Sequence, residues 1–168
     1  PSEVWQKAFM ADAASFETFH PIAPLLATLA QSGHKRPSPI QAAVLPVLLE
    51  GRDALAVAQT GSGKTAAYAL PILQRLAQAN ETREPGLPHA LILAPTRELV
   101  TQIASVCRQL GRPLPLRSRI ARGGLAREPP IAAPKEGGDI LGATPGRLFE
   151  LLDVVYLRLA GSKLLGLC

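Results

Sequence analysis

The chain has 168 residues, a net charge of +5 and hydrophobic residues at 47% of its positions. This length suits one domain with a sizeable core, and the hydrophobic content excludes an intrinsically disordered chain. No apolar run is long enough to span a bilayer, so we expect no membrane partner. Two cysteines, Cys107 and Cys168, are too few for a disulfide framework, which favours an intracellular, reducing setting.

The positive charge is concentrated in the second half of the chain. Residues 1–84 carry seven basic and seven acidic side chains, whereas residues 85–168 carry eleven and six. Six arginines and no acid lie between Glu98 and Glu128. Such an excess attracts polyanions such as nucleic acids, although a solvated basic face would explain it equally well.

Helical and strand patterns alternate along the chain. Ser38 and Pro39 are typical of a helix N-cap and first turn, so they predict a helix from there, and Pro71 predicts a kink in the next helix. We predict helices over residues 37–51, 64–79, 96–110 and 145–153, a loop over 80–89, and strands over 53–58, 90–94, 116–121 and 139–143. Continuously apolar strands separated by helices indicate an α/β fold, in which helices cover both faces of a parallel sheet.

The helix over residues 96–110 has an apolar face at helical spacing. Leu99, Ile103, Val106 and Leu110 follow one another at steps of four, three and four residues. Cys107 lies beside this predicted face, so we interpret it as core filler rather than as a reactive thiol.

Two segments have no firm prediction. Three prolines exclude a regular helix within residues 125–137. The tail over residues 154–168 is apolar, and its pattern fits a strand as well as a helix.

A glycine-rich turn between a predicted strand and a predicted helix indicates a phosphate-binding loop. The sequence AQTGSGKT occupies residues 58–65, which we call the phosphate loop. Backbone amides at a helix N-terminus attract phosphate oxygens, the lysine of such a loop adds a full charge, and its hydroxyl residue can bind Mg²⁺. The residues that we expect at this site are Gln59, Thr60, Gly61, Ser62, Gly63, Lys64 and Thr65. Lys64 and Thr65 are the expected catalytic residues, and Thr65 is the expected Mg²⁺ ligand.

Five motifs, in order and at family spacing, resemble the DEAD-box RNA helicases over about residues 14–153. The phosphate loop has the alanine, Ala58, that this family carries in place of a first glycine. An aromatic residue, Phe16, lies seventeen positions before Gly33, as the family has it. The other matching stretches are GHKRPSPIQ (33–41), PTREL (95–99), Gly123-Gly124 and TPGR (144–147).

The resemblance implies a RecA-like, ATP-binding domain over residues 14–153, after an N-terminal extension at 1–13 and before an atypical tail at 154–168. It implies ATP or ADP with Mg²⁺ as cofactors. Gln41 would read adenine, because an amide offers a donor and an acceptor together, and Phe16 would stack on the base. Arg36 belongs to the same motif. Alternatively, Gln41 is a surface helix residue and Phe16 packs in the core.

The resemblance also implies RNA contacts at the carboxyl ends of the strands, where ligands bind in open α/β sheets. Glycine amides, helix N-termini and arginines suit a phosphodiester backbone, so little sequence preference is expected. Alternatives are a salt bridge for Arg97, an ordinary turn for Gly123-Gly124 and a plain helix start at Thr144. The residues implied are Pro95, Thr96, Arg97, Gly123, Gly124, Thr144, Pro145, Gly146 and Arg147.

The chain departs from the family pattern in its last residues. The Asp-Glu-Ala-Asp tetrad and the Ser-Ala-Thr motif do not occur in it, nor does a second RecA-like domain, which the resemblance implies as a partner. We expect a last strand and its helix to be missing, with self-association through an exposed sheet edge. We expect the chain to bind adenine nucleotide weakly without unwinding RNA or hydrolysing ATP, since hydrolysis needs carboxylates at the metal.

Two other functions fit the sequence less well. A different enzyme with a phosphate loop, such as a small-molecule kinase, would not need Gln41 and Phe16 at this spacing. A non-catalytic RNA-binding or regulatory protein that competes for RNA is also compatible with the residues. The sequence does not distinguish a nuclear or nucleolar protein from a cytoplasmic one.

Overall fold

A computed structural model describes residues 15–79, 87–121, 139–153, 159–160 and 162–168. Its contacts divide the chain into two units: the first contains residues 1–75 and 109–114, and the second contains 76–108 and 115–168. The interpretations of residues 1–13, 80–86, 125–137 and 154–158 lie outside the described residues.

The first unit is built from helices. A 3-10 turn over Phe16–Phe19 is capped by the Ser15 hydroxyl, which accepts a 3.1 Å hydrogen bond from the Glu17 amide. The helices are α1 (Ala23–Gln31), α2 (Pro39–Leu49) and the main part of α3 (Lys64–Gln78). Helix α2 begins where the sequence predicted, with Ser38 as N-cap and Pro39 in the first turn, and it ends two residues earlier than predicted.

The prediction of a buried strand over residues 53–58 is wrong. The segment has no regular secondary structure, and Leu55 and Val57 are 92% and 84% exposed. Backbone groups of a strand need a neighbouring strand, and no described residues pair with this segment. Its apolar composition therefore predicted a burial that the described chain does not provide.

The second unit contains a parallel sheet of four strands in the order β2-β3-β1-β4. The strands are β1 (Ala90–Leu93), β2 (Ser118–Ile120), β3 (Ile140–Ala143) and β4 (Leu164–Leu167). The first three confirm the predicted strands with slightly shorter bounds. Part of the apolar tail, for which the sequence left strand and helix open, forms β4 beside β1.

Helices cover both faces of this sheet, as predicted. Helix α5 (Pro145–Asp153, the predicted bounds) packs Leu148 and Leu151 in one cluster with Leu91 and Ala143. The other face meets α4 (Arg97–Leu110). There, a Cβ built on Gly142 would lie 3.0 Å from Val100 Cγ1, so a larger residue would require Val100 to shift by a few tenths of an ångström.

The buried face of α4 differs from the predicted one. Val100, Ile103, Ala104, Cys107 and Leu110 are buried, whereas Leu99 and Val106 are half-buried. The face is therefore rotated toward Cys107, which confirms that this cysteine fills the core. Burial raises the pKa of the Cys107 thiol to about 11, so it stays protonated near neutral pH.

Candidate functional site

The phosphate loop leads directly into the first residue of α3. Gly61 and Gly63 have φ angles of +83° and +88°, in the left-handed region that favours glycine. Lys64 is the first residue of α3, a helix of 15 residues. The start of a helix at Lys64 is confirmed, although the predicted strand before the loop is absent, and the Ser62 amide donates a 3.3 Å hydrogen bond to the Gln59 carbonyl.

Two side chains at the start of α2 hold the carbonyl groups of the loop. The Ser38 hydroxyl donates a 2.7 Å hydrogen bond to the Ser62 carbonyl, and Gln41 Nε2 donates a 3.1 Å bond to the Gly63 carbonyl. Gln41 Oε1 in turn accepts a 2.9 Å bond from the Ser38 amide, which is one half of a capping box. Two consecutive residues of the phosphate loop, Ser62 and Gly63, are therefore hydrogen-bonded to side chains at the start of α2.

Gln41 is 3% exposed, so it is not a surface helix residue. Its carboxamide has two hydrogens and two lone pairs, and one of each is used by the bonds to Gly63 and Ser38. The remaining hydrogen and lone pair are the chemical complement of one edge of adenine.

The Lys64 side chain is hydrogen-bonded to backbone carbonyls of its own loop. Its ammonium group donates to the carbonyl of Ala58 and, at 2.8 Å, to the carbonyl of Gln59. Two of its three hydrogens are thereby used. The neighbouring Ser62 hydroxyl is buried and has no hydrogen-bond partner among the described residues.

Phe16 does not present its ring to solvent. It is 3% exposed and shares the lining of a small apolar cavity with Phe19, Leu29, Leu45 and Leu70. This is the core packing that the sequence left open as the alternative to base stacking, so stacking would require the ring to leave this position. Arg36 is exposed on the turn before α2.

The second unit brings two of the three implied RNA motifs to one edge. The strands β1 and β3 are neighbours with Leu93 opposite Ala143, so the residues after them leave the sheet together. Pro95 and Thr96 follow β1, and Thr144 follows β3 directly. Gly123 and Gly124 lie outside the described residues.

The helices at this edge begin with the implied residues. Arg97 is the first residue of α4, is exposed, and makes no ion pair within the described parts of the chain. The Thr96 hydroxyl accepts a 3.2 Å bond from the Leu99 amide. Pro145 and Gly146 open α5, and Arg147 Nη1 donates a 2.6 Å bond to Glu150 while its Nε is buried without a partner in the described structure.

The described residues contain no group of three His, Cys, Asp or Glu side chains that could hold a metal ion. Of the expected Mg²⁺ site, the described residues contribute only Thr65, which is half-buried in the first turn of α3. Nor does any described helix have the length and hydropathy of a membrane span.

Sequence reasoning missed the surroundings of two serine side chains. The sequence predicts Ser38 as a helix cap and as the hydroxyl residue of the stretch GHKRPSPIQ, but it does not predict the bond from this hydroxyl to the phosphate loop. The spacing S-x-x-Q from Ser38 to Gln41 is that of a capping box and could have shown that the two side chains act together. Ser62 was expected to act through its backbone amide, and nothing in the sequence indicates that its hydroxyl is buried.

Comparison with known proteins places these motifs in a family. Residues 38–165 match the family model described as DEAD/DEAH box helicase. The chain is 44% identical over 129 residues to DEAD-box ATP-dependent RNA helicase 5 of Oryza sativa subsp. japonica. It is 46% identical over 140 residues to the pre-mRNA-processing ATP-dependent RNA helicase prp-5 of Neurospora crassa. These matches cover 76% and 83% of this chain but only 25% and 12% of the relatives.

A solved structure has the same fold. The RNA helicase Prp28 from Chaetomium thermophilum, bound to ADP, superimposes with a TM-score of 0.81 and 38% sequence identity. The match covers 91% of this chain and 37% of the Prp28 chain.

Proposed function

Because the chain belongs to the DEAD/DEAH box helicase family, we propose that it is the N-terminal ATP-binding lobe of an ATP-dependent RNA helicase. In the longer protein, this lobe and a second RecA-like lobe would bind ATP and RNA together, and ATP hydrolysis would be coupled to local unwinding of an RNA duplex. The single observation that carries the proposal is the direct hydrogen bond from Gln41 to the phosphate loop.

This bond supports adenine binding because it places a base-reading group next to a phosphate-binding group. Gln41 keeps one hydrogen and one lone pair beyond its protein contacts, which match the N7 acceptor and N6 donor of adenine. Guanine carries an O6 acceptor in place of the N6 amine, so the lone pair of Gln41 would face another acceptor and form no hydrogen bond. We therefore expect adenine nucleotides to bind in preference to guanine nucleotides.

The phosphate groups would lie on the backbone amides of residues 61–64, with the Lys64 ammonium as the full positive charge. Thr65 is the residue of this chain that would hold Mg²⁺, which would supply positive charge against the phosphate groups. Gln59 and Thr60 would border this site, and Arg36 would lie at the adenine side. Phe16 would stack on the base only after leaving the apolar cavity that it lines.

We propose that hydrolysis does not proceed on this chain alone. The sequence contains no Asp-Glu-Ala-Asp tetrad, and the described residues contain no group of three His, Cys, Asp or Glu side chains that could hold a metal ion. A carboxylate that orients the attacking water and cations that stabilise the transition state would both be needed. We therefore expect binding of adenine nucleotide without RNA-stimulated turnover.

RNA would bind through its phosphodiester backbone at the carboxyl edge of the second unit. The residues involved would be those after β1 and β3, with Gly123-Gly124 as the third element. Arg97 is exposed and begins α4, so both a cation and helix amides are available to a phosphate group. Such contacts carry little base preference. Separately, we expect the protein to be intracellular.

The test is calorimetric titration of ADP, AMP and GDP with Mg²⁺ into the wild type and into Gln41→Ala. We expect ADP to bind more tightly than GDP and the preference to be lost in Gln41→Ala. Gln102→Ala, an exposed glutamine on α4, is the matched control and should keep the preference. Equal binding of ADP and GDP by the wild type would contradict the adenine site and favour another class of phosphate-loop enzyme.

A further inference from the structure

Most of the exposed large apolar side chains lie in two short segments. Among the described residues, five such side chains are exposed, and four of them belong either to residues 53–58 or to β4. We call residues 53–58 the exposed segment. Its Leu55 and Val57, like Leu165 and Leu167 of β4, are two positions apart, the spacing that places side chains on one face of a strand. Apolar side chains concentrated in this way indicate an interaction surface.

Both segments also have backbone groups available for pairing. Within the parts of the chain that the structure describes, no backbone–backbone hydrogen bond involves residues 53–57, and β4 pairs with β1 alone. The Cys168 amide donates to the Leu93 carbonyl of β1. Because successive residues of a strand bond to opposite sides, the backbone groups of Leu165 and Leu167 point away from β1. This side of β4, which we call the open edge, is a template for another strand.

The exposed segment and β4 match one another in a parallel register. Residues 53–58 read DALAVA, and residues 163–168 read KLLGLC. Aligned from their first residues, they place apolar side chains opposite one another and an acid opposite a base. The facing pairs are Asp53 with Lys163, Leu55 with Leu165, and Val57 with Leu167. Antiparallel pairing that keeps both apolar pairs would place Lys163 opposite Gln59, so the opposite charges favour the parallel register.

We propose that the exposed segment of one copy of this chain pairs as a parallel strand with the open edge of β4 in a second copy. The contact gives the backbone groups of both segments hydrogen-bond partners and removes four apolar side chains from water. A second copy is the indicated partner because both halves of the contact occur in the same chain with complementary charge and spacing. The inference goes beyond the proposed function, since it involves neither nucleotide nor RNA.

The proposed contact is heterologous, because it joins two different surfaces. The copy that contributes its exposed segment keeps an unused open edge, and its partner keeps an unused exposed segment. A pairing of six residues is smaller than a stable interface, which buries about 1,200–2,000 Å². We therefore expect weak association, with a dissociation constant on the order of 0.1–1 mM.

Two variants that each block one half of the contact provide the test. Val57→Lys should block the exposed segment and Leu167→Lys the open edge, and each should weaken self-association by at least about tenfold. An equimolar mixture of the two should form a one-to-one dimer, because each variant keeps the half that the other lacks. Phe149→Lys, at the fifth exposed apolar side chain, is the matched control and should associate like the wild type.

A third variant separates strand pairing from simple apolar contact. In the parallel register, the Ala56 amide faces the open edge and donates to the Leu165 carbonyl. Ala56→Pro removes this donor and leaves Leu55 and Val57 in place. It should therefore behave like Val57→Lys, both alone and when mixed with Leu167→Lys.

Sedimentation equilibrium of the wild type, the variants and the mixtures, up to about 1 mM protein, is the measurement. A wild type that stays monomeric throughout would overturn the proposal. Undiminished association of Val57→Lys would also overturn it, because the contact would then join two open edges, and undiminished association of Leu167→Lys would assign it to two exposed segments. A monomeric mixture of these two variants, each with the melting temperature of the wild type, would exclude the heterologous contact. Undiminished association of Ala56→Pro would exclude strand pairing.

Discussion

The contact between Gly63 and Gln41 can be tested by adding one methyl group at two glycines of the same loop. A Cβ on Gly63 would lie 2.5 Å from Gln41 Nε2 and 3.2 Å from Ser38 Oγ, whereas a Cβ on Gly61 would meet nothing within 4 Å. Both glycines have similar positive φ angles, +88° and +83°. Gly61→Ala is therefore a matched control that carries the backbone strain without the steric conflict.

The expected magnitudes follow from these contacts. Alanine in the left-handed region costs about 1–2 kcal/mol at either position. At Gly63 the methyl group also displaces the Gln41 amide from the Gly63 carbonyl, and buried groups that lose their partners cost about 1–3 kcal/mol more. For a chain of this size, the melting temperature should fall by about 5 °C in Gly61→Ala and about 10 °C in Gly63→Ala.

Thermal melts of the two variants, followed by circular dichroism, provide the comparison. A double-mutant cycle with Gln41→Ala then isolates the contact, because removing the amide removes the object that the methyl group meets. The combined loss of stability should be smaller than the sum of the single losses by about 1–2 kcal/mol. Equal melting temperatures for Gly61→Ala and Gly63→Ala, or strict additivity in the cycle, would refute the reasoning.

Two further predictions concern the second unit. Burial raises the pKa of Cys107 to about 11, so a thiol reagent at pH 8 should modify Cys107 only on unfolding. The exposed Cys168 should react quickly in the native protein. Rapid reaction of both cysteines in the native protein would contradict this. An unfolded cysteine ionises near pH 8.5, so the free energy of unfolding should fall as pH rises from about 8.5 toward 11, and Cys107→Ser should remove that part of the dependence. The described sheet ends at β4, where Leu165 and Leu167 are 63% and 71% exposed, so the chain should self-associate at high concentration. Leu167→Lys should weaken this association. Gln102→Lys, which adds the same charge elsewhere, is the control. Sedimentation of the wild type as a clean monomer would oppose this.

The elements that sequence predicted well are those with local determinants. Helix α2 begins at Ser38 and Pro39 because a cap residue and a fixed φ angle act within one turn. The glycines of the phosphate loop likewise determine its shape locally. The conformation of residues 53–58 could not be predicted from their own composition, since a strand depends on a neighbouring strand that is often distant in sequence. The same dependence explains β4, whose apolar residues formed a strand once β1 was available as a neighbour.

The candidate site shows the same division between local and distant determinants. Motif spacing brought Gln41 and the phosphate loop to attention, and the structure joins them at 3.1 Å. Spacing did not indicate that Phe16 is buried among apolar side chains, because an aromatic residue serves equally well in a core or on a base. Nor could it indicate the unsatisfied hydroxyl of Ser62, which depends on what surrounds one atom.

Because Gln41 is hydrogen-bonded to the Gly63 carbonyl, a substitution of Gln41 alone cannot separate an effect on base recognition from an effect on loop geometry. Gln41→Ala removes the amide that we propose to recognise adenine, and it also removes the hydrogen bond to the Gly63 carbonyl. Gly63→Ala leaves the chemistry of the amide intact and displaces it from the loop. If Gln41 recognises the base, Gln41→Ala should bind ADP and GDP with equal affinity. A variant that affects only the loop should bind both nucleotides more weakly and keep part of the preference for ADP. The ratios of ADP affinity to GDP affinity in Gln41→Ala and in Gly63→Ala therefore show whether the Gln41 amide acts on the base, on the loop, or on both.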